Sequence, residues 1–93
     1  MGHHAHIGTA EIMGGLIVEA VKANHLPEGT FSLLMGEGRV IGQQVAKHPA
    51  LRALGFTGSR VGGRALMDTA AARPTPIPVY AEMSSVNPVV LLE

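Results

Sequence analysis

The 93-residue chain has no cysteine and no tryptophan. The first absence removes disulfides, thiolate metal ligands and a cysteine nucleophile, and it fits a reducing cytoplasm. One tyrosine and two phenylalanines are its only aromatic residues, so there are few platforms on which bases could stack. Charge is scarce too: Asp, Glu, Lys and Arg make up 15%, against ~25% in an average domain. Lys plus Arg and Asp plus Glu are both 7, a formal net charge of zero. A nucleic-acid partner, which requires a clustered basic face, is therefore not expected. No apolar run approaches the ~20 residues of a membrane span, and the N-terminus lacks the charged-then-apolar layout of a signal peptide. Neither a membrane partner nor export is expected, and the expected location is the cytoplasm.

Apolar side chains are plentiful instead, at 46% of residues. A chain of this length buries roughly 60–70% of its unfolded surface, enough for one small core. The low charge predicts either an unusually apolar surface or one covered by a further partner, which makes a homo-oligomer the expected state.

Apolar spacing predicts a first helix over Thr9–Asn24, with Thr9 as cap and Glu11 in the first turn. Ile12, Leu16, Ile17, Ala20 and Val21 form its apolar stripe. Gly14 and Gly15 each weaken the helix by ~1 kcal/mol, and they make room for a close neighbour. HLPEG, His25–Gly29, is a breaker. Phe31–Met35 is a short apolar run of the kind found in strands covered on both faces. A second helix spans Val40–Lys47 and ends at His48–Pro49.

A strand over Leu51–Thr57 follows, then a third helix over Ser59–Ala72. Val61, Ala65, Leu66, Thr69 and Ala70 of that helix turn towards a core. Pro74, Pro76 and Pro78 mark the exit, and strands are expected at Val79–Met83 and Val89–Leu92. Helices alternating with short buried strands predict an α/β fold, a partial doubly wound, Rossmann-like, mostly parallel sheet with flanking helices. The whole chain reads as one partial domain, entered midway through its sheet.

Two strand-to-helix turns are rich in glycine. MGEGRVIG carries Gly36, Gly38 and Gly42, and FTGSRVGG carries Gly58, Gly62 and Gly63. Such turns admit an anion because the backbone can come close, the first helical amides point outward and the helix dipole favours negative charge. The first turn departs from the dinucleotide fingerprint. Its last glycine is one residue late, and no acid is evident about 20 residues on. Spacing alone leaves both as anion sites or as ordinary turn and cap glycines, and leaves Ser59 as a phosphate contact or a plain N-cap. The histidines of GHHAHIG can be read as imidazole ligands, but no carboxylate or cysteine flanks them, and no metal is expected.

LRALGFTGSRVGGRAL followed by VYAEMSSVNPVVLL resembles the aldehyde dehydrogenase superfamily. The family pattern is a Phe-Thr-Gly-Ser turn, a glycine four residues after the serine, and a Glu-Leu-Gly-Gly segment. HLPEGTFSLLMGEG and KHPALRALGFTGS match its earlier passages, in order and with the right gaps. AEMSSVNP is most similar to the branch of α-ketoglutarate-semialdehyde and fatty-aldehyde dehydrogenases.

This resemblance implies a dinucleotide cofactor, NADP or NAD. It implies that Ser59 contacts the diphosphate, Thr57 and Gly58 line the nicotinamide side, Gly63 occupies the family's glycine position, and Glu82 is the general base for thioester hydrolysis. By the same resemblance Arg39 holds the 2′-phosphate of NADP. Read without it, Glu82 is a strand-end acid and Arg39 a solvated cation in a helix's first turn, where the dipole disfavours it. GHHAHIGT aligns with a family passage containing native histidines at His3 and His6, and Met1 stands where the family has a ribose-contacting lysine. The family nucleophile is a cysteine downstream of the glutamate. With none in the chain, the resemblance implies a fragment of an oxidoreductase that does not oxidise aldehydes by itself.

Overall fold

The structure, a computed structural model, describes residues 4–92. The elements in order are a 3₁₀ turn at His4–His6, α1 at Ile7–Ala23, a 3₁₀ turn at Glu28–Thr30, α2 at Gly38–Lys47, β1 at Leu54–Gly58, α3 at Arg60–Ala71 and β2 at Val79–Met83. The chain divides into two compact units, Met1–Gly42 and Gln43–Glu93.

In the first unit, α1 begins earlier than its capping pattern predicts. His6 is the N-cap, without a side-chain cap bond, and no acid lies in the first turn. Thr9 is thus inside the helix and Glu11 in its second turn. The helix is extended backwards by Ile7 and Gly8, which continue directly from the 3₁₀ turn. Its C-terminus follows a Schellman pattern. His25 adopts φ 53°, its amide donates to the Lys22 carbonyl at 3.1 Å, and the Leu26 amide donates to the Val21 carbonyl at 3.0 Å. A histidine thus occupies the left-handed position that glycine usually takes.

Gly14 is the buried residue of α1. A Cβ there would stand 2.7 Å from Leu33 Cδ2, whereas at Gly15 nothing lies within 4 Å. Only the first of the two glycines makes room for a neighbour. That neighbour, Phe31–Met35, is unpaired and is not a strand. Apolar content favours a strand, but a strand also needs a partner for its N–H and C=O groups, and the one sheet among the described residues consists of β1 and β2. The predicted stripe of α1 is largely uncovered: Ile12 is 69% and Leu16 55% exposed.

The second unit is built on β1–α3–β2, a parallel pair joined by a helical crossover. Leu54 pairs with Val79, Phe56 with Ala81, Thr57 with Glu82 and Gly58 with Met83. Leu54, Phe56, Val79, Ala81 and Met83 are half-buried, while Gly55, Thr57, Tyr80 and Glu82 are exposed. One face of the sheet is therefore covered and the other bare. This is a partial Rossmann-like α/β arrangement, as the element pattern predicts.

α3 meets the sheet through Gly63, Leu66, Met67 and Ala70, at the i, i+3, i+4, i+7 spacing of one helical face. The predicted face was wrong in part: Val61 is 80% exposed and Ala65 is exposed. The cause is Gly63. A Cβ there would lie 2.6 Å from Met83 Sδ, so its absence brings the backbone against β2 and turns that side inward.

Polar bonds secure the other side of α3. Thr69 Oγ1 donates to Gln43 Oε1 at 2.6 Å. Arg73 donates to the carbonyls of Ala46 at 2.9 Å, Leu51 at 3.1 Å and Pro49 at 3.3 Å. Ala46 and Ala70 are the buried hydrophobic residues among those described. Val89–Leu92 does not form the expected strand; the chain after Met83 is exposed and unpaired up to residue 92.

Candidate functional site

In α/β sheets ligands gather beyond the carboxyl ends of the strands. β1 ends at Gly58, and Ser59 caps α3 immediately after it. The serine adopts φ −66° and ψ 149°, an extended conformation that turns the chain from strand to helix. Its Oγ accepts from the Gly62 amide at 3.2 Å, and its carbonyl accepts from the Gly63 amide at 2.9 Å. Serine is thus a structural cap, and it is also exposed. Because Oγ spends a lone pair on the cap, its proton remains available to an external acceptor.

A helix leaves its first amides unbonded. Here Ser59 satisfies that of Gly62, and the Arg60 and Val61 amides keep no partner among the described residues. No acidic residue lies in the first turn of α3. Arg60 occupies its first position and is exposed, a placement that the dipole disfavours unless an anion is near. Arg60 was passed over in the sequence, although a basic residue directly after a capping serine is itself a readable signal.

The other expected residues are distributed along the elements. Thr57 and Glu82 are register partners, side by side on the bare face of the sheet. Gly58 is exposed at the end of β1. Gly63 is buried, and the room it leaves is taken by the sheet, through Met83. Five of the six candidate residues thus belong to the second unit. Arg39 belongs to the first, as the second residue of α2, and is exposed. The nearby Gly36 has φ 144°, and a Cβ there would lie 2.5 Å from Ile41 Cδ1. That glycine is required by the turn into α2 itself.

The bare face beside the turn forms a shallow open depression lined by Gly55, Thr57, Tyr80 and Glu82. It offers hydroxyl, carboxylate and phenol groups but little enclosure. No group of three His, Cys, Asp or Glu among the described residues is placed to hold a metal. Met1 and His3 lie outside the described residues. His48 sits at the end of α2, where Nδ1 accepts from the Ala50 amide at 3.2 Å. No helix among the described residues is long and apolar enough to cross a membrane.

Comparison with known proteins adds the family. Residues 8–93 match the model of the aldehyde dehydrogenase family. The chain is 62% identical over 89 residues to alpha-ketoglutaric semialdehyde dehydrogenase 2 of Azospirillum brasilense, covering 96% of this chain and 17% of that protein. It is 44% identical over 90 residues to alpha-ketoglutaric semialdehyde dehydrogenase of Acinetobacter baylyi, covering 97% of this chain and 17% of that protein. It is also 33% identical over 82 residues to NADP-dependent glyceraldehyde-3-phosphate dehydrogenase of Streptococcus equinus, covering 88% of this chain and 16% of that protein. The chain thus spans about a sixth of the length of these relatives.

Proposed function

The chain belongs to the aldehyde dehydrogenase family, and from that premise we propose that its second unit is the part of an NAD(P)-dependent aldehyde dehydrogenase that seats the cofactor diphosphate. One observation carries the reading. An exposed serine turn at the carboxyl end of β1 presents two unbonded amides beside an arginine and no acid. A nicotinamide cofactor, when bound, supplies the hydride acceptor for aldehyde oxidation. Ser59 donates its hydroxyl to the diphosphate, and the Arg60 and Val61 amides donate beside it. Gly63 holds α3 close to β2, which fixes where those donors stand. Thr57 and Gly58 line the nicotinamide side.

Glu82, on the bare face next to Thr57, would take a proton from a water whose oxygen bonds to the acyl carbon of a cysteine thioester in the complete enzyme, breaking the C–S bond and releasing the carboxylic acid and the thiolate. Arg39 meets the 2′-phosphate, which favours NADP; the likeness to an NADP-dependent relative supports this. The similarity to alpha-ketoglutaric semialdehyde dehydrogenases points to a semialdehyde substrate for the complete enzyme. The 93-residue chain lacks cysteine and is therefore inactive in aldehyde oxidation. Its place of action is the cytoplasm.

Titration of the chain with NADP and NAD, followed by amide NMR, tests this. Both cofactors shift the amides of residues 57–63, NADP at lower concentration, and Arg39→Met removes the difference between them. The absence of any shift at millimolar cofactor overturns the reading. Self-association is a second reading, favoured by the uncovered Ile12, Met13, Leu16 and Ile17 of α1. Sedimentation decides it: a clean monomer at high concentration removes it.

A further inference from the structure

The three glycines around the serine turn share one neighbour. A Cβ on Gly58 would lie 2.7 Å from Phe56 Cζ, and one on Gly62 3.1 Å from the same atom. A Cβ on Gly63 would lie 3.4 Å from Phe56 Cδ1. Phe56 is half-buried on the covered face of β1, so its ring fills the underside of the turn. The glycines are small there because the ring is large.

The upper side of the same turn is exposed and carries Ser59 with the unbonded Arg60 and Val61 amides. Gly58 ends β1, paired with Met83, and Arg60–Gly62 open α3, so the freedom that glycine gives lies at the junction around Ser59. It is limited by the ring beneath together with two bonds to Ser59, from the Gly62 amide to Oγ and from the Gly63 amide to the carbonyl.

We propose that Phe56 is the positioning residue of the anion-receiving turn: its ring sets the height and tilt at which Ser59, Arg60 and Val61 present their donors to a diphosphate. The proposal rests on the reading of this turn as a cofactor seat. Phe56 touches no ligand itself. It acts by preventing the glycine backbone from settling towards the sheet, and so keeps donors aligned that would otherwise be ordered only at the moment of binding. Removing the outer ring atoms leaves a void beneath Gly58 and Gly62 into which the turn relaxes.

The test is titration of the full chain with inorganic pyrophosphate and, separately, NADP, reading the Arg60 and Val61 amide shifts, with fold monitored by amide dispersion and circular dichroism. Phe56→Leu removes the Cζ atom and is expected to weaken both ligands about tenfold while the chain remains folded. Gly62→Ala places a methyl against the ring and is expected to weaken them about fivefold, even though alanine favours the helix. In the Phe56→Leu, Gly62→Ala double variant the methyl fills the vacated space, and affinity returns to within about threefold of the parent. This recovery is the signature that a merely stabilising role of Phe56 would not produce.

If Phe56→Leu fails to fold, Phe56→Met, which also lacks the ring's Cζ edge, decides in its place, since the Gly62→Ala methyl also meets Ser59 Oγ at 3.3 Å. Parent-like affinity in a folded Phe56→Leu or Phe56→Met, or in Gly62→Ala, overturns the proposal while leaving the cofactor reading standing. A parent chain that binds neither pyrophosphate nor NADP removes the cofactor reading, and the positioning role with it.

Discussion

Two helices of the molecule carry apolar stripes and meet different fates. α1 exposes Ile12, Leu16 and Ile17, whereas α3 covers Leu66 and buries Ala70. Their difference lies in what the adjoining chain provides. α3 is the crossover of a βαβ unit, so the strands on either side of it return to lie under one of its faces. Within its unit α1 has the two 3₁₀ turns and the unpaired segment Phe31–Met35, which touches it at Gly14 through Leu33. A helical stripe states that a face is available for burial, and topology decides whether anything arrives to bury it.

The largest expected effect sharpens this contrast in the second unit. Arg73 binds three carbonyls around the ends of α2 and β1's approach. Arg73→Met removes a charged donor from all of them at once. Allowing about 1–3 kcal/mol for groups left unsatisfied, partly offset by water where they are exposed, the loss is about 2–4 kcal/mol. Urea unfolding monitored by circular dichroism measures it; a loss below about 1 kcal/mol would show that the second unit does not depend on this clasp.

A smaller effect separates two adjacent glycines in α1. Gly15→Ala meets open space and gains about 1 kcal/mol of helix stability. Gly14→Ala meets Leu33 at 2.7 Å, and its clash offsets that gain. Amide exchange across α1 distinguishes them, since only Gly15→Ala should slow it. Equal slowing by both would mean that Leu33 yields freely and that the first unit is packed no more tightly than its exposed helix suggests. The smallest effect is at Ile12, 69% exposed. Ile12→Lys changes thermal stability by less than about 0.5 kcal/mol in the monomer, while a larger loss that depends on protein concentration would show that this face is covered by association.

Much of the second unit was legible before any coordinates. The second and third helices and the strand at Val79–Met83 were readable from spacing, from the His48–Pro49 stop and from Ser59 as a cap, because these signals act within a few residues. The serine turn was readable too, through the concentration of glycine between strand and helix. Arg60 went unread because glycine and apolar patterns give a lone cation no weight. The inward face of α3 was legible at Leu66, Thr69 and Ala70 but not at Gly63, a residue without a side chain, because apolar counting cannot register an absence. Phe31–Met35 and Val89–Leu92 were read as strands from composition, and neither forms one, since pairing depends on a distant partner.

By itself the sequence determined where helices stop, where the backbone could bend sharply, which family the chain resembles, and that no thiol chemistry is available to it. These follow from local sterics, capping and residue type. Only the tertiary structure decided which apolar runs found a partner, that Phe56 and Met83 occupy the space the glycines vacate, and that Thr57 and Glu82 stand side by side. The physical reason is that these facts depend on parallel pairing between segments some 25 residues apart in register, and pattern within a short window carries no information about which distant segment will come alongside.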